Sequence, residues 1–397
     1  MVKIMFENRE KIAKMEKTNV VDLSESRKTI DQIDKQIVQL FEHRMKVAKD
    51  VAEYKRATGK AVYDKEREVQ KLDTLKNFAT DDFNRHAVEE LFVQIMSMSR
   101  KAQYAMLAND YTEKTFSRID GLPQGKDTKV AFFGVQGSYT EQAMEECFGT
   151  EITSYPEDTF KAVVDAVMNG EVDYGVLPIE NTTTGGITDS YDLLVQADVC
   201  IVAEHVIKVE QSLLGVEGAK LADIKTVYSH AQGIRQCKTF FEQNLAIKTV
   251  EEGSTAGCAK KVLVNGDKTI GAIASVRAAN TYGLSVLAEN ISDEDVNSTR
   301  FIIISKKKQY IKGANKMSIC FSLPHETGSL YNMLSHIIYN SLNMTKIESR
   351  PLSGKKFEYR FFVDFEGKIE DAGVKNALKG IEAESLELKI LGNYRCV

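Results

Sequence analysis

The first part of the chain carries apolar side chains at helical spacing. Apolar residues recur every three or four positions between residues 30 and 51, which predicts one long amphipathic helix. Asp22-Leu-Ser-Glu25 resembles a capping box at the start of this helix, and Gly59 is a typical helix stop. The predicted helix spans about 50 Å at 1.5 Å per residue. One short partner cannot cover that length, so we expect this segment to dimerise.

Two further helices are predicted, from about residue 64 to 78 and from about residue 85 to 108. Residues 22–110 are therefore expected to form an all-α domain. The next stretch, 111–128, contains two glycines and a proline and shows no apolar period. This composition indicates a linker.

Beyond the linker, short β-branched runs alternate with amphipathic helices. Such alternation is typical of a parallel or mixed sheet covered by helices. The length of the segment, residues 129–306, suits two lobes with a cleft between them. We therefore expect a two-lobed α/β domain.

A second break follows at residues 307–316, which are basic and aperiodic and are interpreted as another linker. The remainder, residues 317–397, has the pattern strand, helix, strand, strand, helix, strand. That order predicts an α+β ferredoxin-like (βαββαβ) domain. The chain of 397 residues is thus expected to be multidomain.

Composition narrows the function classes. The chain is 43% hydrophobic and 27% charged, as globular proteins are, and its net charge of −5 argues against binding nucleic acid or anionic membranes. Its start has no apolar run long enough for a signal peptide or a membrane helix. The six cysteines form no C-x-x-C pair and the histidines are scattered, so no metal site is predicted. Reduced thiols in the cytoplasm are the simplest interpretation.

Two basic residues lie on the apolar stripe of the first predicted helix. On a helical wheel Arg44 and Lys55 fall within about 20° of Ile37. Buried basic groups are costly unless they are paired, so an anion is expected to meet them. Alternatively, their long stems extend along a helix interface with the charge in water.

The other two helices add polar groups to the same region. Ser99 and Gln103 share a face with apolar residues of the third helix. Asp64, Arg67 and Glu68 stand at the first turn of the second helix, where a solvated, capped terminus is the ordinary interpretation.

Taken together, these positions resemble the all-helical chorismate mutases, which work as intertwined dimers. The resemblance covers SRKTIDQIDKQIVQLFEHRMKVAKDVAEYK, YDKEREV and SRKAQ. It implies that catalysis comes from holding the reactive conformer and stabilising charge on the ether oxygen, with no acid or base. It also implies a role for each residue. Arg44, Arg67 and Ser99 would bind the substrate's carboxylates, and Arg27 would reach into the partner protomer's site. Lys55 and Gln103 would contact the ether oxygen, and Asp64 and Glu68 would bind the hydroxyl end.

The α/β segment has small polar clusters at the ends of predicted strands, where such folds bind ligands. Residues 134–140 suggest an anion at a helix N-terminus, or a tight turn with Ser138 as the cap. Other clusters are residues 178–186, Ser229-His230 and Thr299-Arg300-Phe301. Each one alone has an ordinary structural interpretation.

In order and wording the clusters resemble prephenate dehydratases. The resemblance covers GSYTEQA, GEVDYGVLPIENTTTGG, YSHAQGIRQC, STAGCA and NSTRF. It implies that Thr299 donates a hydrogen bond or relays a proton to the ring hydroxyl that leaves as carbon dioxide is lost. The residues implied to bind prephenate are Ser138, Glu180, Asn181, Ser229, Gln236, Thr299 and Arg300.

The last segment resembles ACT domains, which bind amino acids between paired protomers. The resemblance lies in Thr327-Gly-Ser-Leu330 and in Glu348-Ser-Arg-Pro351. It implies a phenylalanine site formed by Gly328, Ser329, Leu330, Glu348, Ser349 and Arg350. A structural dimerisation module with an ordinary glycine turn is the alternative.

The sequence therefore predicts a cytoplasmic two-step enzyme that needs no cofactor. Chorismate would be rearranged to prephenate, and prephenate decarboxylated and dehydrated to phenylpyruvate. Phenylalanine would inhibit at the ACT domain, in a homodimer or a tetramer. A ligand-sensing regulatory protein, or an enzyme with one silent catalytic domain, is the alternative.

Overall fold

The structure is a computed structural model that describes residues 22–107, 116–352 and 354–397. The chain divides into two compact units, 1–107 and 108–397. The predicted end of the helical domain and the first residues of the predicted linker, 108–115, lie outside the described residues. Within the described ranges, no helix is long and apolar enough to cross a membrane.

The first unit consists of helices α1 (Leu23–Thr58), α2 (Lys65–Lys76) and α3 (Asp82–Leu107). The Asp22 carboxylate accepts the backbone N–H of Ser24 at 2.8 Å and thereby caps α1. The helix ends at Gly59, whose φ of 69° is accessible to glycine at little cost. Both ends of the long helix are therefore where the sequence predicts them.

The apolar stripe of α1 is exposed to solvent in the single chain. Leu40 is 71% exposed and Ile37 is 56% exposed. Fully burying such a side chain is worth about 1.5–3 kcal/mol, so a stripe of this length favours association. The other exposed apolar residues of α1 include Ile30, Ile33, Val38, Val47 and Val51.

In the second unit, the first lobe is built on a mixed sheet covered by helices. Its strands run in the order β6-β12-β4-β2-β3, with β5 paired to β4. The strands β2, β3 and β4 are parallel, whereas β12 is antiparallel to both of its neighbours. The elements are β2 (Lys129–Phe133), α4 (Tyr139–Phe148), β3 (Thr153–Glu157), α5 (Phe160–Asn169), β4 (Tyr174–Asn181), β5 (Gly185–Gly186), α6 (Thr188–Gln196), β6 (Cys200–Lys208) and β12 (Ser298–Ser305).

The second lobe has its own sheet, in the order β11-β7-β10-β8-β9. The chain crosses into it after β6 and returns to the first lobe through β12, so two connections join the lobes. Its elements are β7 (Ser212–Gly215), the 3-10 turn Leu221–Asp223, β8 (Thr226–Ser229), α7 (Ala231–Arg235), α8 (Lys238–Gln243), β9 (Lys248–Glu251), α9 (Thr255–Asn265), β10 (Ile270–Ala274), α10 (Val276–Tyr282) and β11 (Ser285–Ala288).

The last part of the chain has the predicted βαββαβ order, with strands arranged β15-β16-β14-β17. Two helices cover one face of this antiparallel sheet over a core that includes Phe321, Val363 and Leu378. The elements are β14 (Lys316–Ser322), α11 (Ser329–Tyr339), β15 (Met344–Pro351), β16 (Tyr359–Glu366), α12 (Ala372–Glu384) and β17 (Glu387–Tyr394).

The two segments interpreted as linkers contain paired strands. β1 (Ser117–Ile119) runs parallel to β13 (Gln309–Ile311), and Ile311 is fully buried. In addition β17 meets β6 of the first lobe at one parallel bridge, Gly392 to Ile201. Burial of short apolar runs outweighs the breaker residues around them, so these stretches are part of the folded unit.

Candidate active sites

The three helices of the first unit enclose a cavity of about 750 Å³. Seven basic and three acidic side chains line it, so its charge suits an anionic ligand. Seven of the residues predicted from the sequence meet in this cavity: Arg44, Lys55, Asp64, Arg67, Glu68, Ser99 and Gln103.

The basic residues on the apolar stripe are held by specific partners. Arg44 donates to the Ser99 hydroxyl and, at 3.4 Å, to the Ile95 carbonyl. The Lys55 ammonium donates to the Val62 carbonyl at 2.6 Å. Burial lowers the pKa of Lys55, while Asp64 partly opposes this shift. Burial likewise lowers the pKa of Arg44 against the attraction of Glu68. An incoming dianion would meet two partly desolvated cations, fixed before it arrives.

Gln103 has an unsatisfied amide. It is 7% exposed, and its Oε1 is buried and meets no donor in the described part of the chain. Buried polar atoms without partners are rare in native proteins, so a bound group is expected there.

Arg100 is a wall residue that the sequence reasoning missed. Its guanidinium forms an ion pair with Glu68 and lies 4.8 Å from the centroid of the Tyr63 ring. Its position between Ser99 and Gln103 on α3 was the one sequence feature that could have indicated a residue of this cavity. Arg100 therefore competes with any ligand for the Glu68 carboxylate.

Arg27 does not line this cavity. It is exposed on α1, 17 positions before Arg44, which is about 26 Å along a helix. Its predicted role in the partner protomer's site is compatible with that distance.

A second cavity, of about 380 Å³, lies between the two lobes of the second unit. The first lobe contributes the ends of β2, β4 and β12 and the start of α4. The second lobe contributes α7 and the start of α9. Four predicted residues line this cavity: Ser138, Asn181, Gln236 and Thr299.

Asn181 and Thr299 form the centre of one wall. They are partners across the antiparallel pair of β4 and β12, and Asn181 Nδ2 donates to Thr299 Oγ1 at 3.0 Å. Asn181 Oδ1 accepts the backbone N–H of Thr183 at 3.0 Å and, at 3.4 Å, Nε2 of Gln232. Gln236 Nε2 donates to Thr183 Oγ1 at 3.1 Å. A connected set of amides and hydroxyls therefore faces the cavity.

Three predicted substrate contacts do not line the cavity and have partners within the protein. Ser229 is fully buried and donates to the Ile273 carbonyl at 3.0 Å. Glu180 and Arg300 point away from the cavity, because neighbouring residues on a strand face opposite sides. Direct contact with a ligand in this cavity is therefore not supported for these three residues.

Behind the strand, Arg300 is the centre of a buried cluster of ion pairs, which we call the Arg300 network. Its guanidinium lies 3.0 Å from Glu180, 3.1 Å from Glu204 and 3.0 Å from Asp364 of β16. Lys346 and Lys316 bind Glu180 and Glu204 at 2.8 and 2.5 Å. Burial alone would raise the pKa of Glu180, but the hydrogen bond from Lys346 and the charge of Arg300 hold it below its ordinary value. The six members are Glu180, Glu204, Arg300, Lys316, Lys346 and Asp364, three of each charge.

The cavity between the lobes is lined without a formal charge from Lys, Arg, Asp or Glu. Two helix N-termini open into it instead, one from each lobe. Ser138 caps α4 and Ser254 caps α9, each accepting a backbone N–H of its own first turn. Helix N-termini carry partial positive charge and free N–H donors, so they suit carboxylates. The cavity thus has two helix N-termini suited to anions and, beside them, a neutral wall of hydrogen-bonding side chains.

Sequence reasoning also missed parts of this cavity. Gln211 is 3% exposed, and its buried Oε1 meets no donor among the described residues. Tyr139 donates to the Glu210 carbonyl at 2.6 Å, and burial raises the pKa of its hydroxyl. Phe133 and Phe160 pack edge to face, with ring centroids 4.4 Å apart, beside the opening. Apolar and amide residues of this kind carry no sequence signal of their own.

A third cavity, of about 500 Å³, lies at the start of α11. Two residues of the predicted effector set, Ser329 and Leu330, line it together with Glu326 and Phe361. Gly328 precedes them with a φ of 79°. The β15 members of that set lie elsewhere: Arg350 binds Asp192 of α6 at 2.8 Å, Glu348 packs beside Gly186, and Ser349 is exposed. In the single chain the predicted effector set is divided between two places.

Comparison with known proteins assigns a family to two segments of the chain. Residues 26–104 match the family model for chorismate mutase type II, and residues 130–309 match the one for prephenate dehydratase. The chain is 34% identical over 376 residues to the bifunctional chorismate mutase/prephenate dehydratase of Aquifex aeolicus, covering 94% of this chain and 98% of that one. The Pseudomonas aeruginosa protein of the same description is 32% identical over 371 residues, covering 92% and 95%.

Solved structures resemble the second unit. Prephenate dehydratase from Arthrobacter aurescens in complex with L-Phe superposes with a TM-score of 0.63 at 30% identity, covering 68% of this chain and 90% of that one. A protein described as GqqA, a novel type of quorum quenching acylase, superposes with a TM-score of 0.62 at 32% identity, covering 68% and 98%.

Proposed function

The chain belongs to the bifunctional chorismate mutase/prephenate dehydratase family, and from that premise we propose how its residues carry out the two reactions. The protein rearranges chorismate to prephenate and converts prephenate to phenylpyruvate, two successive steps of phenylalanine biosynthesis. The roles of individual residues, the regulatory domain, the assembly and the cytoplasmic location are the proposals.

The mutase reaction takes place in the cavity of the first unit. Chorismate carries two carboxylates, and Arg44 and Arg67 bind them as planar, charged hydrogen-bond donors. Ser99 shares its hydroxyl with Arg44 and supports the same carboxylate. Asp64 and Glu68 accept from the ring hydroxyl at the other end of the substrate. The convergence of these residues on one cavity is the observation that supports this assignment.

Lys55 and Gln103 act on the breaking bond. As the ether C–O bond lengthens and the new C–C bond forms, negative charge grows on the ether oxygen. A fixed ammonium and a fixed amide N–H stabilise that charge without reorganising in the transition state. Gln103 contributes its Nε2, which leaves Oε1 to accept from the substrate.

We propose that the mutase site is completed in a homodimer. The exposed apolar stripe of α1 supplies the contact surface, and Arg27 of each protomer reaches the cavity of the other. A mixed-dimer experiment tests this role. Arg27→Ala and Lys55→Ala chains, each inactive alone, should regain about a quarter of wild-type mutase activity when they are refolded together. Without recovery, Arg27 does not serve the partner's cavity.

The dehydratase reaction takes place between the lobes. The bond from the ring to the departing carboxylate breaks and releases carbon dioxide, and the electron pair of that bond enters the ring. The hydroxyl opposite leaves as hydroxide, which takes up a proton from solvent to form water. The Thr299 hydroxyl hydrogen-bonds to this leaving group, and the aromatic ring that forms supplies the driving force. The N-termini of α4 and α9 hold the two carboxylates, because the described residues that line the cavity include no lysine or arginine.

We propose that residues 317–397 form an ACT regulatory domain that binds phenylalanine beside Ser329 and Leu330. The second half of the effector site, on β15, would come from a partner protomer. Phenylalanine binding favours one dimer arrangement in which the cleft between the lobes is less competent. The Arg300 network supports a route, since Asp364 of β16 binds the residue directly after Thr299.

One assay tests the two activities. The purified chain receives chorismate, and chorismate loss and phenylpyruvate formation are followed separately. Both signals are expected. Prephenate accumulation without phenylpyruvate would leave the second unit as a sensor or a silent domain, and no chorismate loss would refute the mutase activity. The assay needs no added cofactor or metal, an expectation tested by adding a chelator.

The feedback proposal has its own test. Saturating phenylalanine should lower dehydratase kcat or raise KM in the wild type and leave mutase kinetics unchanged. Asp364→Asn should weaken that response. Dehydratase kinetics that phenylalanine does not alter would remove the proposal.

A further inference from the structure

Asn297 stands two residues before Thr299 and was not among the predicted site residues. It is 1% exposed, and its Oδ1 accepts a hydrogen bond from Asn181 Nδ2 at 2.8 Å. It also borders a side chamber of about 230 Å³ whose wall shares Gln232 and Gln236 with the cavity between the lobes. Asn297 is therefore a buried polar residue in contact with the reaction site, but behind its wall.

The direction of every hydrogen bond in this group can be assigned. Asn181 Oδ1 faces the backbone N–H groups of Thr183 at 3.0 Å and Thr184 at 3.3 Å, and backbone N–H groups only donate. The amide nitrogen of Asn181 must then point to the other side. There its two N–H groups face three acceptors: Asn297 Oδ1, the Ser298 carbonyl at 3.2 Å and Thr299 Oγ1 at 3.0 Å. Since this nitrogen only donates, Thr299 Oγ1 can only accept from it.

This assignment determines the direction in which the Thr299 hydroxyl hydrogen points. Thr299 Oγ1 accepts from Asn181, so the hydroxyl hydrogen has to point to another acceptor. Among the described residues none takes it, and Thr299 lines the cavity. The hydroxyl is thereby prepared as a donor toward a ligand.

The orientation of the Asn297 amide follows from that of Asn181. If Asn297 presented its nitrogen to Asn181, two donors would face each other, so Oδ1 occupies that place. The Nδ2 of Asn297 is then buried without an acceptor among the described residues. A buried donor in this state is uncommon in native proteins.

We propose that Asn297 is a positioning residue of the dehydratase reaction. It holds the Asn181 amide in the orientation that makes Thr299 accept from the protein and donate a hydrogen bond to the leaving hydroxyl of prephenate. The proposal rests on the dehydratase activity assigned above. It places part of the catalytic effect on a residue that never touches the substrate's reacting atoms.

A double-mutant cycle on the full chain tests the coupling. Thr299→Val removes the hydroxyl at constant shape and should lower dehydratase kcat about 10²–10⁴-fold. Asn297→Ala should lower kcat about tenfold to a hundredfold in the wild-type background. In the Thr299→Val background it should change kcat by less than about twofold, because no hydroxyl is left to orient. Losses that multiply in the double variant would overturn the proposal.

Asn376 offers a matched control in the same unit. It is 4% exposed, donates to Asn340 Oδ1 at 2.9 Å and also has one buried atom without a partner. Asn376→Ala should cost similar stability and leave dehydratase kcat unchanged. An equal loss of kcat in Asn376→Ala would mean that buried asparagines act only through stability, and the proposal would fall.

Two further measurements keep the outcomes distinct. Wild-type chain that does not convert supplied prephenate would refute the dehydratase function, and this proposal with it. Active wild type with multiplicative losses would refute the role of Asn297 alone. If Asn297→Ala does not fold, Asn297→Ser takes its place in the cycle, since serine is too short to reach Asn181.

Discussion

Replacing Arg300 with methionine tests whether the Arg300 network is a balanced unit. Among the described residues, the change removes the one cation that binds Asp364, while Glu180 and Glu204 keep their lysines. Breaking a buried ion pair by deleting one partner costs about 3–5 kcal/mol, because the other charge stays desolvated. Arg300 Nε has no hydrogen-bond partner among the described residues, so its removal relieves about 1 kcal/mol. We expect Arg300→Met to destabilise the second unit by about 3 kcal/mol.

Urea denaturation of the full chain measures this loss. The sequence has no tryptophan, so unfolding of the second unit is followed by loss of dehydratase activity and by the near-ultraviolet circular dichroism of its tyrosines. A unit of this size has an m-value near 3 kcal/mol per M in urea, so the midpoint should fall by about 1 M. Mutase activity, measured in the same samples, reports on the first unit and should keep its own midpoint.

Two variants decide whether charge balance is the cause. Arg360 on β16 binds Glu387, a partner whose side chain is 58% exposed, so Arg360→Met should cost at most about 1 kcal/mol. Asp364→Asn removes the stranded charge and keeps the side-chain shape, so it should recover part of the loss in Arg300→Met. Equal midpoints for Arg300→Met and Arg360→Met, or fully additive losses in the double variant, would refute the reasoning.

Three further predictions concern single sites. Lys55→Met should lower mutase kcat about 10²–10³-fold and leave turnover of supplied prephenate unchanged. Because burial lowers the pKa of Lys55, the wild-type mutase should begin to lose activity at a pH below 10.5, the ordinary pKa of a lysine. A pH–rate profile with Lys55→Arg as the reference checks this. The ionised form of Glu180 stabilises the fold above its ordinary pKa of 4.5, and that stability is lost as pH falls through the lower folded value; Lys346→Met should therefore move the acid-unfolding midpoint to higher pH, and an unchanged midpoint would contradict it. Gly175→Ala would put a Cβ 2.8 Å from Val163 Cγ1, which should cost about 1–3 kcal/mol in urea unfolding, against no measurable change for Lys161→Ala on the exposed face of α5.

The sequence predicted the features that depend on residues close together in the chain. Asp22 and Gly59 set the ends of α1 through capping and a positive φ, both of which depend on neighbouring residues only. Arg44, Lys55, Ser99 and Gln103 were found because polar groups on an apolar helical stripe stand out. Helical periodicity then implied that their faces meet.

Strand residues were harder to place. Asn181 and Thr299 line one cavity, whereas Glu180 and Arg300, one position away on each strand, lie on the opposite face. A sequence motif does not show which of its residues face the same side of a strand. The sequence also contained no sign of the acceptor of Ser229, because the Ile273 carbonyl lies on a strand 44 residues later.

Pairing between strands that are far apart in the chain could not be predicted from the sequence. The strands Ser117–Ile119 and Gln309–Ile311 are three residues each, too short for a periodic signal, and each pairs with a partner far away in the sequence. Asn297 escaped notice for a related reason, since its role depends on the hydrogen-bond directions of Asn181, 116 residues earlier.

The parallel pair of β1 and β13 has a consequence for how the chain could be re-cut. It brings the two ends of residues 117–308 together, since the backbone N–H of Ser117 donates to the Lys308 carbonyl at 3.0 Å. A segment whose ends adjoin behaves as a cassette: it can be circularly permuted or exchanged without moving the elements that flank it. The dehydratase lobes are thus an insertion whose two ends lie beside each other at this pair of strands.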